Sequence, residues 1–560
     1  MTTDICIMEG NRKEKGCLCK VYCAGITGIE AFKVTIEVYV TKGISFNLVG
    51  LPDSAVKESQ QRIETSLSRF GFSMPGKKIV INMAPANIRK QGSGFDMAIA
   101  VGLLYAAGMV KKPAYQYKEI SSEKNLEGSY EADHGFNEVL IDNFMIMGEL
   151  SLDGIARYFD GALVIASCAR KLGFCKCIFP VQAAMECSDI NDVEIYGVET
   201  LRDVLNILEN PSSEAALKLK CNSRRCNSIK LVEKEDEGYA ENDFAFIKGQ
   251  YVAKRALEIA AAGGHNVLLK GSPGCGKTML AKSLTSILPP LDKEEAVTTG
   301  KIYSVAGLLK GCDGIPKERP FRAPHHTATI SSLIGGGMKV MPGEVSLAHN
   351  GVLFLDEFPE FPRKAIEILR RPLEERFVQI SRVKEKVIYP CSFILIAAMN
   401  PCPCGYYNSE AGKCSCSSSM ISNYTARISG PILDRIDLHV DLKPVPFNDL
   451  ISSKVEEKSS DIRKRVVRAR EVQNERFKCY DGIFCNAQMG EVLIRRFVEL
   501  DSDASAIMER AVKRLSLSAR IYSRILKVAR TIADLDGSLK VNTRHLSAAI
   551  LFRGDNNSER

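Results

Sequence analysis

The 560-residue chain lacks tryptophan altogether, so no indole contributes to any core or site. It lacks a run approaching the ~18 consecutive apolar residues that a membrane-spanning helix needs, which argues against a helical membrane protein. Its first residues, Met1-Thr-Thr-Asp-Ile-Cys-Ile-Met-Glu-Gly10, lack a basic segment leading into an apolar core, so no secretory leader is expected. A cytoplasmic location with no membrane partner follows as an expectation. The 19 cysteines, a high count, are then expected as reduced thiols or metal ligands rather than disulfides. No charge sign dominates: 75 basic residues stand against 67 acidic ones, a net +8. That mild excess permits a polyanionic partner without requiring one. Tandem repeats and low-complexity tracts are absent too.

What is present is ordinary globular composition, 45% hydrophobic and 25% charged, over a length that calls for about three or four domains. Residues 1–20 read as a polar tail. Residues 21–208 alternate strand-like and helix-like patterns and read as an α+β domain. Phe32–Val40 alternates apolar and polar as a half-buried strand does. Pro52-Asp-Ser-Ala opens a helix that Asp53 or Ser54 can cap. Lys78–Met83 is a strand and Asp96–Tyr105 a buried helix. Residues 113–141 read as a solvated acidic insertion, and 209–242 as a charged linker. Residues 243–445 form an α/β core, 446–553 an all-α segment, and 554–560 a tail.

The chemistry begins with Gly271-Ser272-Pro273-Gly274-Cys275-Gly276-Lys277-Thr278. This is G-x-x-x-x-G-K-T, placed between the apolar run Asn266–Lys270 and a helical stretch beginning at Met279. In that context the glycines let backbone N–H groups face a phosphate chain. Lys277 supplies charge to the β/γ-phosphates, and Thr278 offers an oxygen to Mg²⁺. Gly351–Glu357 is an apolar strand ending in two acids. Asp356 is placed to hold the metal and Glu357 to act as general base on an attacking water. Ser392–Asn400 is a third buried strand ending in an amide, Asn400. It either positions the water and γ-phosphate or simply ends a strand. Arg435 sits on a short acidic turn, and Arg520 and Arg524 begin a helix. A guanidinium fork suits the γ-phosphate, in trans from a neighbouring subunit or in cis from the lid, and a surface ion pair is the alternative for each.

Longer motifs add to these: Arg319–His326, Pro342–Glu357, Ala398–Gly405, Arg427–Leu438 and Ser518–Asp534, with Val49–Ser59 and Asn82–Asp96 nearer the N-terminus. Together they resemble the YifB/ComM family of magnesium-chelatase-like AAA+ proteins, over nearly the whole chain from about Val21 to Phe552. The resemblance implies a multidomain α/β fold. It has a Lon-like (ribosomal S5-like) α+β N-terminal domain, an AAA+ P-loop core and an all-α C-terminal lid. It also implies ATP and Mg²⁺ as cofactors, Lys277 and Thr278 as the Walker A pair, and Asp356 and Glu357 as the Walker B pair. Asn400 matches sensor 1, Arg435 the arginine finger and Arg520 sensor 2. A homo-oligomeric ring, most simply a hexamer, is implied as well.

Arg376–Tyr389 fits the β-hairpin that precedes sensor 1 in this branch and lines the central pore of related DNA motors. Arg382, Lys384 and Lys386 are therefore either phosphate contacts or the charged edge of a solvated hairpin. Cys402-x-Cys404 and Cys414-x-Cys416 are either four zinc thiolates or free thiols, since C-x-C is tighter than the usual zinc spacing. His325 and His326 are expected to pack or to touch substrate rather than bind metal.

The Lon-like domain raises the question of proteolysis, which needs a serine activated by a lysine. Lys90-Gln-Gly-Ser-Gly-Phe-Asp96 puts Gly94 where the nucleophile should stand, and Ser93 is one position off. The expected function is thus an ATP-hydrolysing ring motor on DNA. The family includes a hexameric ATPase that drives branch migration of DNA junctions in natural transformation, and the basic helix Asp461–Arg470 is compatible with that. A protein-remodelling motor is the alternative, and an ATP-dependent protease the weakest reading.

Overall fold

The computed structural model describes residues 17–90, 92–110, 137–221, 242–311, 314–337, 340–381, 386–407, 414–446, 456–515 and 517–553. They form two compact units. One is drawn from 1–231 with 303–315, the other from 232–302 with 316–560.

The first unit is built on a seven-stranded mixed sheet. Its spatial order is Ser45–Val49, Lys78–Ala84, Glu30–Thr41, Cys17–Thr27, Asn137–Ile146, Lys176–Pro180, Glu194–Val198. Alternation in Glu30–Thr41 buries Val34, Ile36, Val38 and Val40 on one face. The helix Asp96–Ala106 lies against that face and is buried along its whole length. Gly102 permits the approach: a methyl group there would lie 2.8 Å from Val38 Cγ2. The helix Ser54–Arg69 is capped by Asp53, which accepts from the Val56 N–H at 2.9 Å.

Three boundaries differ from the sequence reading. The first strand begins at Cys17, inside the segment read as a tail, because Cys19 is fully buried between two neighbouring strands. The segment read as a solvated insertion over 113–141 ends in sheet: Asn137–Ile146 is an inner strand and Ile141 is buried. Polar neighbours masked this short apolar run; residues 111–136 lie outside the described residues. The linker read over 209–242 starts too early. The helix Glu214–Lys218 and a bridge from Lys220 to Tyr196 belong to the first unit, while 222–241 lie outside the described residues.

The second unit holds a five-stranded parallel sheet in the order Phe321–Arg322, Val352–Leu355, Ile394–Met399, Val267–Gly271, Leu438–Leu442. Val352–Leu355 and Ile394–Met399 are buried at every position, as strands covered on both faces must be. Register pairs Leu355 with Ala397 and Lys270 with Met399. The chain therefore leaves three adjacent strands at one edge, carrying Asp356, Asn400 and the glycine loop with it. Beyond Ser459 the described chain is helical, in Ser459–Phe477, Glu491–Phe497, Ser502–Leu515, Ala519–Leu535 and Thr543–Leu551. Among the described residues no helix is long and apolar enough to cross a membrane.

One buried carboxyl in the first unit makes a pH prediction. Asp96 is pushed up to about 6 by burial, which outweighs its pairing with Arg62 at 2.7 Å. Its folded pKa therefore exceeds its unfolded one, near 3.9. Between those values the folded state binds the extra proton. The contribution of Asp96 to stability is then fully present below about pH 4 and is lost as pH rises through about 6, by about 3 kcal/mol. Urea titrations at pH 4 and pH 7 should show this decline in the wild type and its loss in Asp96→Asn.

Candidate nucleotide site

The loop after Val267–Gly271 turns through Gly274 and Gly276, whose φ angles of +79° and +89° only glycine adopts readily. A methyl group built at either position would meet nothing within 4 Å. The loop is thus an open cradle whose amides precede the helix Lys277–Ile287, as a phosphate chain requires. Gly271 is confined instead: a methyl there would lie 2.7 Å from the Cys275 sulfur, so the buried Cys275 packs under the loop.

Lys277 Nζ donates to the carbonyls of Gly271 at 2.7 Å and Ser272 at 3.0 Å, and to Asn400 Oδ1 at 2.9 Å. Burial pushes its pKa down, against the pull of Asp356 and Glu357. Thr278 Oγ1 donates to Asp356 Oδ2 at 3.0 Å. Four residues read separately from sequence are thus joined in two hydrogen-bonded pairs. A hydroxyl and a carboxylate side by side form the hard-oxygen donor set that suits Mg²⁺, and the cradle has room for phosphates, so the residues fit both groups.

Glu357 occupies the left-handed region, φ +50°, a conformation that costs a non-glycine residue energy and that clusters at functional sites. Its side chain is about half exposed and lies 3.2 Å from His326 Nδ1. His326 stacks on His325 with ring centroids 4.1 Å apart. The sequence reading expected this pair to pack or touch substrate. The structure puts His326 on the expected general base, a relation between segments far apart in the chain that no local motif carries.

The arginines are placed differently. Arg435 is buried, pairs with Glu374 at 2.7 Å and donates to the Pro431 carbonyl at 2.6 Å. Arg520 is exposed on the first turn of Ala519–Leu535. Arg524, one turn further, donates to the Arg435 carbonyl at 2.9 Å and to Asp437. The hairpin pairs Phe377–Ser381 with Lys386–Pro390, with Lys386 exposed, while Arg382 and Lys384 lie outside the described residues. In the basic helix, Arg465 binds Glu258 at 2.6 Å and Arg470 the Ala261 carbonyl at 3.0 Å. Two of its five basic residues therefore hold the helix to the core, and Arg463, Lys464 and Arg468 face solvent.

Cys402, Cys404, Cys414 and Cys416 converge, with all four sulfurs within 4.8 Å of one another. In the first unit, Ser93 Oγ donates to Glu149, and the buried Lys90 amine to the Pro85 carbonyl. Gly94 is enclosed by Met147 and Phe159. No serine–lysine pair forms at this place.

Comparison with known proteins accords with this geometry. The model for magnesium chelatase, subunit ChlI, matches residues 243–450, that for its C-terminal part 456–553, and a further ChlI model 36–143. Competence protein ComM of Haemophilus influenzae is 38% identical over 535 residues, 95% of this chain and 97% of that protein. Protein YifB of Escherichia coli is 36% identical over 539 residues, 95% and 96% of the two chains. DNA replication licensing factor Mcm6 of Drosophila melanogaster is 23% identical over 306 residues, 53% of this chain and 33% of that protein. With motifs, sheet and relatives in agreement along its length, the chain belongs to the YifB/ComM family of magnesium-chelatase-like AAA+ proteins.

Proposed function

We propose that this protein is an ATP-hydrolysing ring motor that acts on DNA, with branch migration or strand separation at junctions as its output. The observation that carries the ATPase reading is the convergence of Lys277 on Asn400 and of Thr278 on Asp356 at the edge of one parallel sheet. Mg²⁺, when bound, supplies positive charge to the phosphate oxygens; Thr278 and Asp356 would hold it. The loop amides and Lys277 orient the phosphate chain. Glu357 takes a proton from the attacking water, and Asn400 holds that water's approach while accepting from Lys277. His326, 3.2 Å from the Glu357 carboxylate, would orient that side chain towards the water. In a hexameric ring, Arg435 would exchange Glu374 for a neighbour's γ-phosphate, and Arg520 would reach its own subunit's from the lid.

DNA is favoured as the substrate by two relatives, one a competence protein and one a DNA replication licensing factor. The hairpin Phe377–Pro390 presents Lys386 for phosphate contact, with Arg382 and Lys384 as further candidates. The cytoplasm is the matching location. Zn²⁺ held by Cys402, Cys404, Cys414 and Cys416 is a separate proposal, supported by the geometry of the four sulfurs alone. Peptidase activity has no support, because Ser93 and Lys90 each bond elsewhere.

The deciding experiment is ATP-dependent resolution of a labelled four-way junction, with Glu357→Gln as control. Resolution by the wild type alone is expected. Brisk hydrolysis with no effect on the junction would transfer the reading to protein remodelling. Lys277→Ala should abolish measurable binding of a fluorescent ATP analogue. Glu357→Gln should bind it normally yet turn over at least 100-fold more slowly. His326→Ala should lower turnover about tenfold while nucleotide affinity stays within twofold; an unchanged rate would remove His326 from the machinery. Junction affinity should fall steeply between 50 and 200 mM salt, by about 10³-fold or more if six or more phosphates are neutralised.

A further inference from the structure

The four-cysteine knot lies directly against the nucleotide site. Cys402 follows Asn400 by two residues, at the end of the strand Ile394–Met399. Its sulfur is 3.3 Å from that of Cys404 and 3.7 Å from that of Cys414, and Cys404 and Cys414 are 3.6 Å apart. A tetrahedron of thiolates around zinc, with Zn–S bonds of about 2.3 Å, has edges of about 3.8 Å. These separations are far longer than a disulfide bond, about 2.05 Å, and all four thiols are free. The Tyr407 N–H also points at the Cys402 sulfur, at 3.3 Å, as backbone amides do towards sulfur that carries negative charge. Among the described residues this is the one group of three or more metal-ligand side chains so arranged.

Gly405 closes the turn, its N–H donating to the Cys402 carbonyl at 3.0 Å with φ at +87°. A methyl group built on it would lie 2.6 Å from Pro273 Cδ and 3.9 Å from Asn400 Cγ. The turn thus packs flat on the P-loop proline and beside the amide that accepts from Lys277.

We infer that Cys402, Cys404, Cys414 and Cys416 bind one Zn²⁺, and that the loaded knot is a positioning device. It clamps Pro273 and Asn400, so that metal loading sets nucleotide binding and turnover. The coupling rests on the ATPase reading; the metal site does not.

Two measurements separate them. Metal analysis of the full chain should give about one zinc per chain. Replacement by Co²⁺ should give the absorption bands of a tetrahedral thiolate site, and both should vanish in the double variant Cys414→Ser/Cys416→Ser. Zinc below about 0.1 per chain with no cobalt spectrum would overturn the site, whatever the ATPase rate. Fluorescent ADP titration should then show at least fivefold weaker binding in metal-stripped protein, restored by Zn²⁺. Equal affinity in the two forms would overturn the coupling. Gly405→Ala guards against misfolding of the cysteine variants: it keeps all four thiols and should keep zinc, yet should weaken ADP binding by displacing Pro273. A zinc-replete protein with no ATP hydrolysis would sink the ATPase reading and leave the metal site standing.

Discussion

The buried carboxylate of Asp437 holds the second unit in register. Its side chain is about 4% exposed, accepts from the Asn266 N–H at 3.0 Å and from Arg524, and lies 3.4 Å from His265 Nδ1. Burial alone would raise its pKa, but Arg524 and His265 hold it well below the usual carboxylate range. Asn266 extends the network, donating to the Arg435 carbonyl at 3.1 Å and accepting from the Leu395 N–H at 2.9 Å. Three strands are thereby pinned at the end where they enter the sheet, so that their other ends deliver the P-loop, Asn400 and the chain after Leu442 to fixed places. Removing one partner from such a network leaves a buried charge uncompensated, which costs several kcal/mol. The same carboxylate binds the helix Ala519–Leu535 through Arg524, so that helix and the Arg435 turn share a single anchor.

That anchor is part of a wider contact between the C-terminal helices and the sheet. The helices Ser459–Phe477 and Ala519–Leu535 pack on Tyr251–Gly263 behind the sheet. Polar groups fix the contact, His265 Nε2 with Thr531 at 2.8 Å and Gln473 with the Ala262 carbonyl at 3.1 Å, while Arg476 with Asp534 at 2.8 Å joins the two helices to each other. Buried polar contacts of this kind are costly unless every member is satisfied, and so favour one packing of these helices over a continuum. Arg435 is held by Glu374 on one side and its carbonyl by Arg524 on the other. The turn carrying Arg435 is therefore tied both to the Glu374 helix and to the helix Ala519–Leu535.

How much of this was legible in the sequence depended on the range of the determining interaction. The glycine loop, the strand ending in Asp356-Glu357 and the strand ending in Asn400 are written locally, as apolar runs with fixed polar termini, and they meet in space. The buried helix Asp96–Ala106 and the strand Lys78–Ala84 were readable for the same reason. The strand Asn137–Ile146 was not, because its burial comes from partners far away in the chain while its immediate neighbours are polar. His326 on Glu357, Asp437 on Arg524, and the turn at Gly405 on Pro273 are contacts between distant segments; composition and spacing carry no trace of them. The basic helix Asp461–Arg470 is legible only in part: Arg463, Lys464 and Arg468 face solvent as a charged run suggests, while Arg465 and Arg470 bond to Glu258 and the Ala261 carbonyl, partners distant in the chain.

The central claim is that the energy of this nucleotide site is directed at DNA. The most direct measurement is steady-state ATP hydrolysis by the purified protein alone, with a four-way DNA junction, and with an unfolded polypeptide at equal mass. The account predicts several-fold stimulation by the junction, lost at high salt, and none by the polypeptide. Stimulation by polypeptide alone, with DNA inert, would contradict it.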